Sequence, residues 1–119
     1  MNHMQAYYTM FYALEAYYHR TNSDTLGEML GFMSPELCIG GKPIDLAVLG
    51  DWKNAIEKII DSDSLTLVEC VHAAIEFLKF YKMEFGYDTQ WVIDDLQKIS
   101  DSSEDWLSHN RRAMKMLQK

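Results

Sequence analysis

Turn residues and cysteine are scarce in this sequence. Six Gly and two Pro in 119 residues are too few for the many turns of a β-sandwich or barrel. Cys38 and Cys70 stand 32 positions apart without CxxC spacing, so neither a disulfide framework nor a standard zinc site is expected, and both thiols are expected to be reduced. No window reaches about 18 consecutive apolar residues, the length of a membrane helix. No Lys or Arg precedes the first apolar run, so no secretory signal is expected, and the expected compartment is the cytosol. Phosphate-binding and hydrolase signatures are missing as well. Gly40-Gly41-Lys42 lacks the GxxxxGK[ST] spacing and the Ser or Thr that follows it, and no GxSxG, HExxH or GxGxxG occurs.

The chain is instead rich in apolar and acidic residues. At 48% hydrophobic and 13% aromatic it can bury enough surface to fold, and 119 residues support one core, hence a single domain over 1–119. Its net charge of −7 is unevenly placed. Arg111, Arg112, Lys115 and Lys119 close the chain with no acid among them, so residues 1–110 hold seven basic and all eighteen acidic residues, a net of −11. Such a body repels nucleic acid, whose binding depends on phosphate neutralisation, and attracts a basic protein.

Helical periodicity runs through most of the sequence. Met4, Tyr7 or Tyr8, Phe11, Leu14 and Tyr18 recur at steps of three and four, predicting an amphipathic helix over about 4–19. Ser23 is placed to cap a second helix carrying Leu26, Met29, Leu30 and Met33, in which Gly27 and Gly31 imply close packing or a local break. Residues 34–43 hold both prolines and read as the one long loop. Asp45 then caps a short turn, Gly50 breaks it, and Asp51 restarts a helix with Trp52, Ile56, Ile59 and Ile60 on one face. Thr66 and Glu69 form a capping-box pattern. It opens the strongest helix, with Leu67, Val71, Ala74, Leu78, Tyr81 and Phe85 on one row, Cys70, Ala73 and Phe77 on a second, and Gly86 as the stop. Two apolar rows place this helix at the centre. Asp88 is expected to cap the next helix, with Val92, Leu96 and Ile99 inward, and Ser102 or Ser103 a last one with Trp106, Leu107, Met114 and Leu117 inward. The expected fold is an all-α bundle of five to seven helices.

Catalytic chemistry finds little support. Glu69-x-x-His72 is half of a di-iron motif, which needs a second copy and two further glutamates. No second copy exists, so Glu69 is expected to cap its helix and His72 to be partly buried. Glu15 and His19 fit a helical ion pair, and Cys70 and His72, two residues apart, point to different sides of a helix. No catalytic residue, cofactor or metal is expected.

Two surfaces bear on binding. If positions 7, 11, 14 and 18 face the core, Tyr8, Tyr12 or Tyr17 lies at its edge, where tyrosines serve as interface anchors; alternatively they pack under the 34–43 loop and complete the core. Between 88 and 105, Asp88, Asp94, Asp95, Asp101, Glu104 and Asp105 face a single Lys98. Asp94 and Asp101 lie opposite Val92, Leu96 and Ile99, as a solvated face or as a surface that steers a basic partner. The expected contacts are Asp94, Asp95, Asp101, Glu104 and Asp105, with Tyr8 or Tyr12 secondary.

The first half carries a further pattern: Tyr17-Tyr18-His19-Arg20-Thr21, Ser23-Asp24, Leu26-Gly27, Leu30-Gly31, Gly41-x-Pro43-x-Asp45, Asp51-Trp52 and Ala55-Ile56. It resembles a family of small immunity proteins of bacterial contact-dependent growth inhibition and related polymorphic toxin systems, over about residues 7–60. The chain departs from the family pattern at Thr25 and Phe32, where acids are frequent. The resemblance implies a cytoplasmic, non-enzymatic protein that binds the C-terminal toxin domain delivered by a sibling cell, often a nuclease and among nucleases often a ribonuclease, and blocks its active site. A 1:1 complex with that basic domain is expected, and, from the acidic charge and the absence of a long apolar run, neither nucleic-acid nor membrane binding. Tyr18, Arg20, Ser23, Asp24, Asp51 and Trp52 are assigned to the fold, since caps, turns and a buried Trp account for them. Two other classes remain open: a homo-oligomeric helical adaptor joined through the aromatic band, and a metal-dependent helical enzyme.

Overall fold

Asn2 starts the first helix with a reciprocal cap: its side chain accepts the Gln5 N–H at 2.8 Å, and the Gln5 side chain accepts the Asn2 N–H at 2.8 Å. The computed structural model describes residues 1–34, 38–39, 42–43, 46–99 and 106–117. Helix α1 spans His3–Thr21 and ends at Asn22, which takes the left-handed conformation (φ 53°) and returns its N–H to the Tyr18 carbonyl at 2.7 Å. Ser23 caps α2, Asp24–Met33, as expected. Two two-residue extended segments, β1 Cys38–Ile39 and β2 Lys42–Pro43, pair antiparallel within the expected loop. Helices α3 (Leu46–Glu57), α4 (Leu67–Phe85), α5 (Gln90–Ile99) and α6 (Leu107–Leu117) complete an all-α bundle. No helix among the described residues is long and apolar enough to cross a membrane.

Helix α1 holds the middle of the bundle. It packs against α2, α3, α4 and α6, and every residue from Ala6 to Leu14 is buried. A helix covered on all sides buries its whole circumference rather than one stripe. This corrects the expectation that α4 alone is central: α4 packs on α1, α3 and α5 and shares the core with α1. The one polar side chain in the α1 run, Thr9, is satisfied locally, its hydroxyl donating to the Gln5 carbonyl at 2.8 Å. Between α1 and α4 the approach is close enough for the Cys70 thiol to meet the Ala6 carbonyl at 3.4 Å. Complete burial drives that thiol well above the ordinary cysteine range, which makes it a packing group and not a nucleophile.

Helix α4 begins and ends where the sequence places it. Thr66 Oγ1 accepts the Glu69 N–H at 3.1 Å, Glu69 Oε1 accepts the Thr66 N–H at 2.8 Å, and Gly86 closes the helix at φ 72°. The start of α5 differs from expectation. Gln90 is its first residue, and Asp88 is exposed two positions earlier, too far out to cap. Buried Thr89 occupies the junction instead, donating its hydroxyl to the Leu78 carbonyl of α4 at 3.0 Å while its own carbonyl accepts the Val92 and Ile93 N–H groups. At the other end of the chain, Trp106 is buried as expected whereas Leu107 is 43% exposed.

Gly50 does not break the chain into two elements, because α3 runs through it. The neighbours of the helical glycines separate them by role. A Cβ on Gly27 would approach Tyr18 Cε2 to 3.0 Å, the close packing expected there, whereas a Cβ on Gly31 or Gly50 would meet nothing within 4 Å. Neither of the latter two has a positive φ. Gly31→Ala and Gly50→Ala are therefore expected each to stabilise the protein by about 0.5–1 kcal/mol, chiefly by lowering the entropy of the unfolded chain. Urea midpoints measured on the single and double variants check this, and an unchanged or lowered midpoint would reveal a packing role for either glycine.

Candidate interaction surface

The acidic face of α5 divides into an exposed acid and a tethered one. Asp94 projects into solvent, where its Oδ1 accepts from Gln90 Nε2 at 2.8 Å. Asp95 is half-buried and accepts the hydroxyl of Tyr17, which is 6% exposed. The Trp91 ring meets Tyr17 edge-on at 6.1 Å, and the Arg20 guanidinium lies 4.6 Å from the Tyr17 ring centroid. Burial first, and then the facing Asp95 carboxylate, raises the Tyr17 hydroxyl pKa far above the ordinary tyrosine value. Asp95 thus joins α5 to α1. Asp101, Glu104 and Asp105, also expected as contacts, lie outside the described residues.

Tyr8 and Tyr12 do not lie at an edge. They are 2% and 3% exposed, so neither offers an anchor to a partner, and the expectation that they do is corrected. For Tyr12 the physical reason is α6. It packs along α1 and brings the Arg112 guanidinium to 4.0 Å above the Tyr12 ring, while Arg112 Nη1 pairs with Glu15 Oε1 at 2.8 Å. One cation of the basic C-terminal segment is in this way spent on the fold. Glu15 also lies 4.0 Å from His19 Nε2, the helical pair read from the sequence.

Two clefts open on either side of His19. One, of about 580 Å³, is lined by Tyr17, Arg20, Asp95, Trp106 and His109; the other, of about 440 Å³, by Tyr12, Glu15, Tyr18, Leu30 and Arg112. Their linings mix aromatic, apolar, acidic and basic side chains, and the second also includes Ser34 and His19. Glu69 is held in its capping box and His72 is partly buried, as expected. Among the described residues, no three His, Cys, Asp or Glu side chains converge in a way that holds a metal ion.

A third feature was not foreseen. The last turn of α4 carries Met83 at 80% and Phe85 at 59% exposure, although the helical row places Phe85 inward. Because Gly86 ends the helix directly after it, Phe85 projects past the packed part of α4. It stacks on Tyr81 with a 5.2 Å centroid separation and a 29° interplanar angle. Tyr87 and Phe32 complete a cluster around Tyr81, with centroids at 6.2 and 5.9 Å. Both tyrosine hydroxyls end on carboxylates: Tyr81 donates to Asp51 Oδ2 at 2.7 Å and Tyr87 to Glu28 Oε1 at 3.1 Å. A sequence signal did exist, since an aromatic at the final helical position before a C-cap glycine has only half a turn of neighbours to cover it.

No family model matches the sequence, and neither a curated protein nor a solved structure matches the chain.

Proposed function

We propose that this chain is an immunity protein, which binds the C-terminal toxin domain of a contact-dependent growth inhibition system and neutralises it. The observation that carries this reading is the charge separation: residues 1–110 bear a net of −11, and Asp94 displays part of that charge on an open helix face. The resemblance of residues 7–60 to the immunity family supplies the biological setting. A nuclease toxin, with ribonucleases foremost, has a basic substrate groove, and an acidic inhibitor that covers the groove gains both steering and register from the charge. The protein acts in the cytoplasm, without cofactor or catalysis, as a monomer in a 1:1 complex, and engages neither nucleic acid nor membrane. Protection against a catalyst demands a long-lived complex. Nanomolar binding corresponds to about −12 kcal/mol, more than exposed charges supply, so apolar anchors are required as well.

The test is co-expression with the toxin domain encoded immediately upstream, scoring growth rescue and co-purification. Rescue with a salt-sensitive complex is expected; death of the cells with no complex formed would overturn the proposal. Asp94→Lys is expected to weaken binding and to flatten its dependence on salt. A homo-oligomeric adaptor is the second reading, favoured by the exposure of Met83 and Phe85. Light scattering of the free protein separates the two, a monomer at high concentration dismissing the adaptor.

A further inference from the structure

We infer that the aromatic cluster at the end of α4 is the apolar anchor site for the basic partner, receiving an Arg or Lys side chain of that partner against Phe85 and Tyr87. This rests on the proposed function in that it takes the partner to be a basic protein. It moves the anchor from Tyr8 and Tyr12, which are buried, to the described aromatic cluster that combines exposure with negative charge. Phe32, Val48, Asp51, Tyr81, Phe85 and Tyr87 line a depression of about 220 Å³. That is below the roughly 300–1,000 Å³ of small-molecule sites and suits a single side chain delivered by a larger surface.

The surrounding charge selects the occupant. Asp51 and Glu28 sit at the ends of the two tyrosine hydroxyls, and exposed Glu84 and Asp88 flank Phe85 and Tyr87 along the chain. The nearby cation, Lys82, turns away to Gln90 Oε1 at 2.7 Å. A guanidinium or ammonium laid over such rings interacts favourably with the ring quadrupole, and the carboxylates meet its charge. A second copy of this chain fits poorly. A two-fold contact sets the same patch against itself, bringing Glu28, Asp51, Glu84 and Asp88 against their own equivalents. The last turns of α4 are also tied to the acidic helix. Lys82 donates to Gln90, and Gln90 donates to Asp94, so one chain of hydrogen bonds ties the end of α4 to the exposed acid of α5.

The experiment measures, by calorimetry, binding of the intact protein to a catalytically inactivated form of the upstream-encoded toxin domain, with Phe85→Ser and Met83→Ser as variants and Glu57→Gln, an exposed position of α3, as control. Both altered apolar side chains are largely exposed, and thermal unfolding verifies that the variants fold. Phe85→Ser is expected to weaken binding by about 30-fold or more, the scale of an interface hot spot, with the control unchanged. If the toxin domain binds the native protein and both variants equally, the anchor assignment is overturned while the immunity reading stands. If it does not bind the native protein, that reading fails, and an arginine-rich peptide becomes the probe. Shifts of the Phe85 and Tyr87 ring resonances on adding the peptide would support a site for basic side chains, and unmoved resonances would overturn it. A native dimer that Phe85→Ser converts to monomer would assign the patch to a second copy and overturn the inference.

Discussion

Trp52→Ala is expected to remove about 3–5 kcal/mol of stability, the usual cost of deleting a large aromatic from a packed core. Trp52 is 1% exposed and bridges three elements. Its ring meets Phe77 of α4 edge-on at 5.8 Å and 89°, and Tyr7 of α1 at 6.4 Å and 69°. Its indole N–H donates to the His3 carbonyl at 3.0 Å, tying the first turn of α1 to α3. Alanine removes the ring contacts, leaves a cavity among rigid aromatic neighbours, and deprives a carbonyl of its donor. Against a total of about 5–15 kcal/mol for a domain of this kind, the variant falls close to the threshold of folding. Trp52→Phe keeps most of the ring and loses only the indole donor, so it is expected to recover more than half of the loss. Urea unfolding with an unchanged slope checks both variants. A loss below about 2 kcal/mol for alanine would mean that Tyr7 and Phe77 collapse into the space, a relaxation cost set by local packing.

The elements the sequence makes legible are those whose signals are local. Thr66 with Glu69, Ser23, Gly86 and the buried Trp52 and Trp106 all behave as their neighbours within a few positions imply. Asn2 with Gln5 belongs to the same class and marks the start of α1 at His3, one residue earlier than the apolar period does. What the period conceals is coverage by distant elements. A row such as Tyr7, Phe11, Leu14 and Tyr18 presupposes one buried stripe, yet α6 arrives from the far end of the chain and covers Tyr12, so that Tyr18 becomes the partly exposed member of the row. Gly50 has intrinsic cost in a helix, but the packing of Val48, Trp52, Ala55 and Ile56 outweighs it and carries α3 through. The acidic face of α5 is half legible for the same reason. Asp94 follows from the helical wheel, whereas the engagement of Asp95 depends on Tyr17, 78 residues away. Residues of the pattern between Tyr17 and Ile56 also find local work: Asp51 accepts the Tyr81 hydroxyl, Arg20 lies by the Tyr17 ring, and Tyr18 fills the space that Gly27 leaves.

Above pH 10 the protein is expected to lose stability steeply through Tyr17. Its folded pKa is raised by burial and by the Asp95 carboxylate, whereas in the unfolded chain it returns to about 10. Above that value the unfolded state therefore holds fewer protons than the native one, and unfolding is favoured as pH rises. Below pH 10 both states are protonated and the contribution is fully present; above it, the loss approaches about 1.4 kcal/mol per pH unit until the folded hydroxyl itself titrates. Tyr17→Phe isolates the effect from the other six tyrosines. At neutral pH the variant is expected to lose about 1–2 kcal/mol, because Asp95 forfeits its buried donor. Between pH 10 and 12 its stability is expected to fall less steeply than that of the native protein, and the two curves to converge. Denaturant unfolding at half-unit steps of pH reads both slopes. Parallel curves would show that the Tyr17 hydroxyl ionises as freely in the folded protein as in the unfolded chain, and coincident curves that the bond to Asp95 does not hold α5 against α1.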